Sequence, residues 1–213
     1  SFGQQILHIY IEAFHLQPKK NISLQDGLIL YNKMEEVNLH RVFFIHGQLD
    51  DINVESIRKD CLKSHKDIQK LSKDVTATRN EDLEISKSKE IDKIIKQIQK
   101  EFLSKYSQKI ELLNFWAQVH QKYESTNTHD HVDCFDLKNS PDYSMVFYVQ
   151  TPKDCGKLVF QYPINKYNQY KRWWVPSNVG SYVIFPATLD HFVTKNYSDD
   201  YRIALSFNFK IKN

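Results

Sequence analysis

The spacing of hydrophobic positions changes character near the middle of the chain. In Lys89–Tyr106 the apolar residues Ile91, Ile94, Ile95, Ile98, Phe102 and Tyr106 fall at helical spacing, with Lys, Asp, Gln and Glu between them. That pattern predicts an amphipathic helix. Asn53–Lys66 predicts a second, with Val54, Ile57, Cys61 and Leu62 along one side. Between them Ser72–Ser88 is polar and predicts a loop. Arg41–His46 (RVFFIH) reads as a buried strand, and Leu28–Glu36 as a helix within an otherwise ambiguous start.

The second half reads as strands. Phe115–His120, Ser144–Gln150, Lys157–Gln161, Ser181–Phe185 and Tyr201–Ile211 are rich in β-branched and aromatic residues. Turn-forming residues bound them at Ser140-Pro141-Asp142, Pro152–Gly156 and Pro176–Gly180. Several short strands at regular spacing predict an antiparallel sandwich or jelly roll. The fold class is therefore mainly β with flanking helices, the N-terminal helical portion packing on one sheet. Residues 1–115 are expected to support a core formed by 116–213, the two together making one domain.

Composition narrows the function classes. Of 213 residues, 41% are apolar and 26% charged, with a net charge of +3, which is a soluble, globular balance. The charge is too even to argue for nucleic acid as a partner, and no apolar run approaches a membrane span. The opening SFGQQILHIYIEAF lacks the basic start and cleavage site of a secretory signal. Three widely spaced cysteines, Cys61, Cys134 and Cys155, argue against a disulfide framework or a paired-cysteine zinc site. A reducing, cytoplasmic setting is the expectation.

Three features carry chemistry. In Thr128-His129-Asp130-His131-Val132-Asp133, an extended backbone would turn His129, His131 and Asp133 to one face. His191 follows a Pro-containing turn at the end of a strand, a rigid place for a side chain. Arg202 lies near the start of the last strand, where its fork of donors suits a carboxylate. Along that strand Arg202, Ala204, Ser206 and Asn208 share one face, and Ile203, Leu205, Phe207 and Phe209 the other. Two imidazoles and a carboxylate on one side of a metal make a facial triad, the arrangement of non-haem Fe(II) oxygenases. His131, Asp133 and His191 are the expected ligands; an HxH pair from His129 and His131, or Asp142 as the carboxylate, are the alternatives.

Over roughly residues 115–210 the chain resembles the 2-oxoglutarate–Fe(II) oxygenase superfamily, within it the prolyl-4-hydroxylase-like proteins, including small versions encoded by phages. The resemblance rests on His131-Val132-Asp133, the strand SMVFYV from Ser144, and Cys155-Gly156-Lys157-Leu158-Val159-Phe160. It continues through Pro176–Gly180, Ile184-Phe185-Pro186, His191, Asn196, Arg202 and Ser206-Phe207-Asn208-Phe209. It implies a double-stranded β-helix, with Fe(II), 2-oxoglutarate and O2 as the reagents and ascorbate in support. It also implies oxidative decarboxylation of 2-oxoglutarate to succinate and CO2, coupled to hydroxylation of an unactivated C–H bond. Arg202 would take the far carboxylate of 2-oxoglutarate, with Tyr148 and Ser206 as helpers. A peptidyl side chain is the expected substrate by analogy; a free amino acid or a nucleotide base stays open. Trp173 and Trp174, preceded by Lys171 and Arg172, are candidates for substrate contact. The rival readings are another metal-dependent jelly-roll enzyme of cupin type, which would not need Arg202, and a non-enzymatic β-sandwich binding module.

Overall fold

The computed structural model describes residues 42–71, 83–163 and 170–212. The chain divides into two units, Ser1–Arg41 and Val42–Asn213, and the described residues all belong to the second. The helix expected at Leu28–Glu36 lies outside them.

Among the described residues, nine strands and two helices follow in order: β1 (Ile45–Gln48), α1 (Val54–Leu71), α2 (Lys89–Tyr106), β2 (Lys109–His120), β3 (Thr126–His129), β4 (Tyr143–Gln150), β5 (Leu158–Pro163), β6 (Tyr170–Trp174), β7 (Ser181–Pro186), β8 (His191–Val193) and β9 (Arg202–Lys212). They form a five-stranded sheet, β1-β7-β4-β9-β2, and a four-stranded sheet, β3-β8-β5-β6. Every pairing is antiparallel. Val146 and Tyr148 of β4, Val183 and Phe185 of β7 and Ala204 of β9 share one core with Leu158 and Phe160 of β5 and Val193 of β8. That core draws on both sheets and so lies between them, as in a jelly roll.

The helices cover the other face of the five-stranded sheet. Ser88 caps α2 with its Oγ, which accepts from the Ile91 N–H at 3.4 Å. Ser107 ends the helix with a left-handed backbone, φ 55°, its N–H bonded to the Leu103 carbonyl. Ile91, Ile94, Ile95, Ile98 and Phe102 of α2, with Ile57 and Cys61 of α1, then share a core with Met145, Phe147 and Val149 of β4 and Ile203, Leu205, Phe207 and Phe209 of β9. No helix among the described residues is long and apolar enough to cross a membrane.

Alternation decides which face is which. Strand β9 pairs with β2 and β4, placing Arg202 opposite His120, Ala204 opposite Gln118 and Tyr148, and Ser206 opposite Trp116 and Val146. Paired residues point the same way. One strand thus feeds the apolar helix-covered core with its odd positions and the space between the sheets with its even ones. Strand β2 begins at Lys109, ahead of the expected start at Phe115.

Candidate metal centre

His129, His131 and His191 come together where the ends of β3 and β8 meet. Their ligand atoms all lie within 4.8 Å of one another. His129 is the cross-strand partner of His191, which in turn faces Phe160 on β5. His131 is held to the same place by its backbone, whose N–H donates to the Ala187 carbonyl at 2.9 Å. Ala187 sits in the turn after β7, closed by the bond from Leu189 N–H to the Pro186 carbonyl. The turn before His191 therefore also clamps the segment that carries His131.

The three imidazoles are oriented alike. Nδ1 of His191 lies 2.9 Å from the Leu189 carbonyl, and Nδ1 of His129 lies 2.8 Å from the Asn127 carbonyl. Nδ1 of His131 lies 2.7 Å from Oδ1 of Asn208. A carbonyl oxygen only accepts, so each Nδ1 carries the ring proton and each Nε2 keeps its lone pair. Ser144 completes the hold on His131, donating to Asn208 Oδ1 at 2.8 Å while standing 2.8 Å from His131 Nδ1. Such outer hydrogen bonds fix tautomer and ring direction in metal-binding histidines.

The surroundings keep the His131 and His191 rings neutral. Burial, aided by His129 and His131, pushes His191 down to about 3. Burial also lowers His131 from its ordinary value, against the raising effect of its hydrogen bond to Asn208. A neutral imidazole is the form that binds a metal ion.

The carboxylates named as candidates lie outside this group. Strand β3 ends at His129, and Asp130 then bends the chain by accepting the Val132 N–H on its Oδ1 at 3.1 Å. Asp133 is exposed, its Oδ1 accepting from the Phe135 N–H at 2.9 Å while Ser140 Oγ takes its own N–H at 2.8 Å. Asp142 accepts the Ile211 N–H at 2.7 Å and stands 3.7 Å from the Lys210 ammonium. Among the described residues, no carboxylate joins the histidine cluster.

Arg202 is fully buried at 0% exposure, on the same face of β9 as Asn208. Its Nε donates to the Gly156 carbonyl at 3.0 Å. Gly156 can come this close to its neighbours only without a side chain: a Cβ there would stand 2.0 Å from the Thr194 carbonyl oxygen. Nη1 and Nη2 of Arg202 are buried without a partner, and so is the Tyr148 hydroxyl. The Tyr148 ring lies 5.6 Å from the guanidinium carbon. Burial lowers Arg202 from its ordinary value and raises Tyr148. Ser206 is buried on the same face, opposite Trp116.

Sequence reasoning did not single out Asn208 or Ser144 as partners of a metal-site histidine. The signal was present for Asn208, a polar residue on the Arg202 face of a strand whose first eight residues are buried.

Comparison with known proteins bears on the fold that carries these residues. Residues 114–208 match a family model described as "Putative 2OG-Fe(II) oxygenase". No curated protein matches the chain. Among solved structures, the non-heme alpha-ketoglutarate-dependent carbocyclase SnoK of nogalamycin biosynthesis aligns with a TM-score of 0.57 at 13% identity, covering 90% of this chain and 85% of its own. A viral collagen prolyl hydroxylase from Paramecium Bursaria Chlorella virus-1, solved with 2OG, aligns with a TM-score of 0.55 at 13% identity, covering 80% of this chain and 96% of its own. A prolyl-4-hydroxylase of Pseudomonas putida aligns with a TM-score of 0.53 at 14% identity, covering 81% and 89%. At these identities the structures establish the fold, a 2OG-oxygenase jelly roll. Enzymes of this superfamily use Fe(II), 2-oxoglutarate and O2. Residues 114–208, under half of the chain, thus resemble the 2OG-Fe(II) oxygenase family.

Proposed function

We propose that the chain is a hydroxylase-type oxygenase whose Fe(II) is held by His129, His131 and His191 and whose 2-oxoglutarate is anchored by Arg202 and Tyr148. One observation carries this reading: three imidazoles have their ligand atoms within 4.8 Å of one another, and the face of β9 that holds His131 through Asn208 also carries a buried guanidinium with two unpaired nitrogens. Both groups fit what they would hold. Three Nε2 lone pairs within reach of one another suit a divalent transition metal. A buried cation with unpaired donors is costly unless an anion completes it, and the far carboxylate of 2-oxoglutarate would do so. In this reading His129 stands in for Asp133, which lies beyond the bend that Asp130 makes by accepting the Val132 N–H.

Bound Fe(II) and 2-oxoglutarate supply the oxidising chemistry, coupling decarboxylation to hydroxylation of a C–H bond. The protein's residues position and insulate it. Asn208 and Ser144 keep Nε2 of His131 aimed inward, and the Leu189 carbonyl does the same for His191. Arg202 sets the depth at which the cosubstrate stops. Phe160 and Phe185, whose rings lie 6.4 and 4.7 Å from that of His191, keep water from one side of the centre.

For the substrate, a groove of about 550 Å³ beside this wall is suited, lined by Phe44, Phe160, Lys171 and Trp173 among others. Phe44 stacks on Phe160 at 5.3 Å, so the groove is one ring away from the histidine cluster. Its size and apolar lining suit a peptidyl side chain or a small molecule, and the aligned structures include prolyl hydroxylases. Three free cysteines, one of them the exposed Cys134, favour the cytoplasm as the compartment.

The test is succinate release from 2-oxoglutarate with Fe(II) and ascorbate, screened over peptides, amino acids and nucleotides. Substrate-stimulated succinate that disappears in His191→Ala is the expected result. Turnover that needs the histidines but not 2-oxoglutarate would point to a cupin-type metal enzyme instead.

A further inference from the structure

Arg202 is not alone in lacking partners. Among the described residues, the buried side-chain atoms without a hydrogen bond are Arg202 Nη1 and Nη2, the Tyr148 hydroxyl, His120 Nδ1 and Trp116 Nε1. All lie on one face of one sheet. Arg202 pairs with His120 and Ser206 with Trp116 across β2 and β9, while Tyr148 pairs with Ala204 across β4 and β9. A buried polar group left unpaired costs stability comparable to a lost hydrogen bond, so a cluster of them calls for an explanation.

Position separates these atoms into two sets. Strand β9 runs between β4 and β2, so the Arg202 guanidinium is flanked by Tyr148 on one side and His120 on the other. Trp116 lies four residues back along β2, roughly 13 Å at the rise of a strand, with its ring 5.5 Å from that of His131. It belongs to the metal end. Four unpaired atoms remain at the Arg202 end. An ionised carboxylate presents about four lone-pair sites. Nη1, Nη2, the phenol and an imidazole N–H would fill them.

His120 is held for this role. It is 1% exposed, and its Nε2 stands 3.2 Å from the Thr126 hydroxyl. The hydroxyl can donate to Nε2, and in that tautomer the ring proton resides on Nδ1, the unpaired atom. Burial first, and then the charge of Arg202, push His120 down to about 3, so the ring is neutral at physiological pH. A neutral donor leaves one positive charge to meet one negative charge; a protonated ring would leave the buried site unbalanced.

We infer that His120 is a further cosubstrate-binding residue, whose Nδ1–H donates to the same far carboxylate of 2-oxoglutarate that Arg202 and Tyr148 bind. This rests on the proposed role of Arg202. It makes His120 a determinant of cosubstrate choice: a 2-oxo acid without a second carboxylate gains nothing from it.

The test compares 2-oxoglutarate with 2-oxobutyrate, which lacks that carboxylate, by calorimetry on the full chain loaded with Fe(II) under argon. Wild type should prefer 2-oxoglutarate, and Arg202→Met should lose the preference. His120→Phe should weaken 2-oxoglutarate by about 10- to 100-fold, the worth of one hydrogen bond to a charged group, and leave 2-oxobutyrate unchanged. His120→Gln, which keeps an N–H donor, should recover part of the loss. A wild type without preference overturns the role of Arg202 and this inference with it. Loss of preference in Arg202→Met but not in His120→Phe overturns the inference alone, as does an equal loss of both ligands in His120→Phe. Should His120→Phe fail to fold, ¹⁵N-histidine spectra of Zn(II)-loaded wild type decide: the His120 Nδ1–H resonance should move with 2-oxoglutarate and stay put with 2-oxobutyrate, and a resonance indifferent to both contradicts the inference.

Discussion

The two faces of the five-stranded sheet do different work with the same strands. On the helix-covered face, Ile203, Leu205, Phe207 and Phe209 of β9 join the apolar core beneath α1 and α2. On the face between the sheets, Arg202, Ala204, Ser206 and Asn208 alternate with them, and here every unpaired buried side-chain atom among the described residues is found. The first face is satisfied by the protein itself. The second is complete only with something added. Stability and chemistry are thus separated by one residue's step along a strand, and substitutions on the two faces should fail in different ways.

The largest effect is expected at the metal. His191→Ala should lose metal binding and turnover, as checked by metal content after anaerobic loading and by succinate release, while the fold persists. On the helix-covered face, Phe207→Ala should do the reverse. It removes a ring at 0% exposure and should cost about 3–5 kcal/mol in chemical denaturation, with the metal site of the remaining folded protein intact. Arg202→Met sharpens the contrast further. Removing a buried charge whose two terminal nitrogens are unpaired should leave the ligand-free protein as stable as wild type or more so, yet abolish the rise in Tm that 2-oxoglutarate gives. A clear loss of ligand-free stability in Arg202→Met would mean the guanidinium is structural.

A pH effect should follow from His120. Its folded pKa of about 3 lies below the ordinary 6.5, so the unfolded chain takes up the proton first. Stability should be full above about pH 6.5 and fall progressively as pH drops towards 3, in urea titrations of the metal-free protein, with His191, also pushed down to about 3, adding to the fall. Arg202→Met should soften that fall, since Arg202 is the second cause of the shift. The smallest effect is expected away from both faces: Ser88→Ala removes the cap of α2 and should cost about 1 kcal/mol without touching activity.

The same contrast explains what could be read beforehand. Helix α2 was legible from end to end because its apolar stripe packs on a sheet, and β4, β7 and β9 because they are buried on both sides. Strands β3, β6 and β8 were not legible. They are three to five residues long, and YKRWW in β6 is exposed throughout. The burial of Arg202 was foreshadowed by its small neighbours. The histidine cluster was only half legible, because extended spacing places His129, His131 and Asp133 on one face whether or not the strand lasts that far. What breaks the tie is the bend at Asp130, a local hydrogen bond that alternation does not register.

The most direct measurement is anaerobic Fe(II) binding by equilibrium dialysis to wild type, His129→Ala and Asp133→Ala. A centre of three imidazoles predicts about one iron per chain in wild type and in Asp133→Ala, and none in His129→Ala. Iron retained by His129→Ala and lost from Asp133→Ala would contradict it.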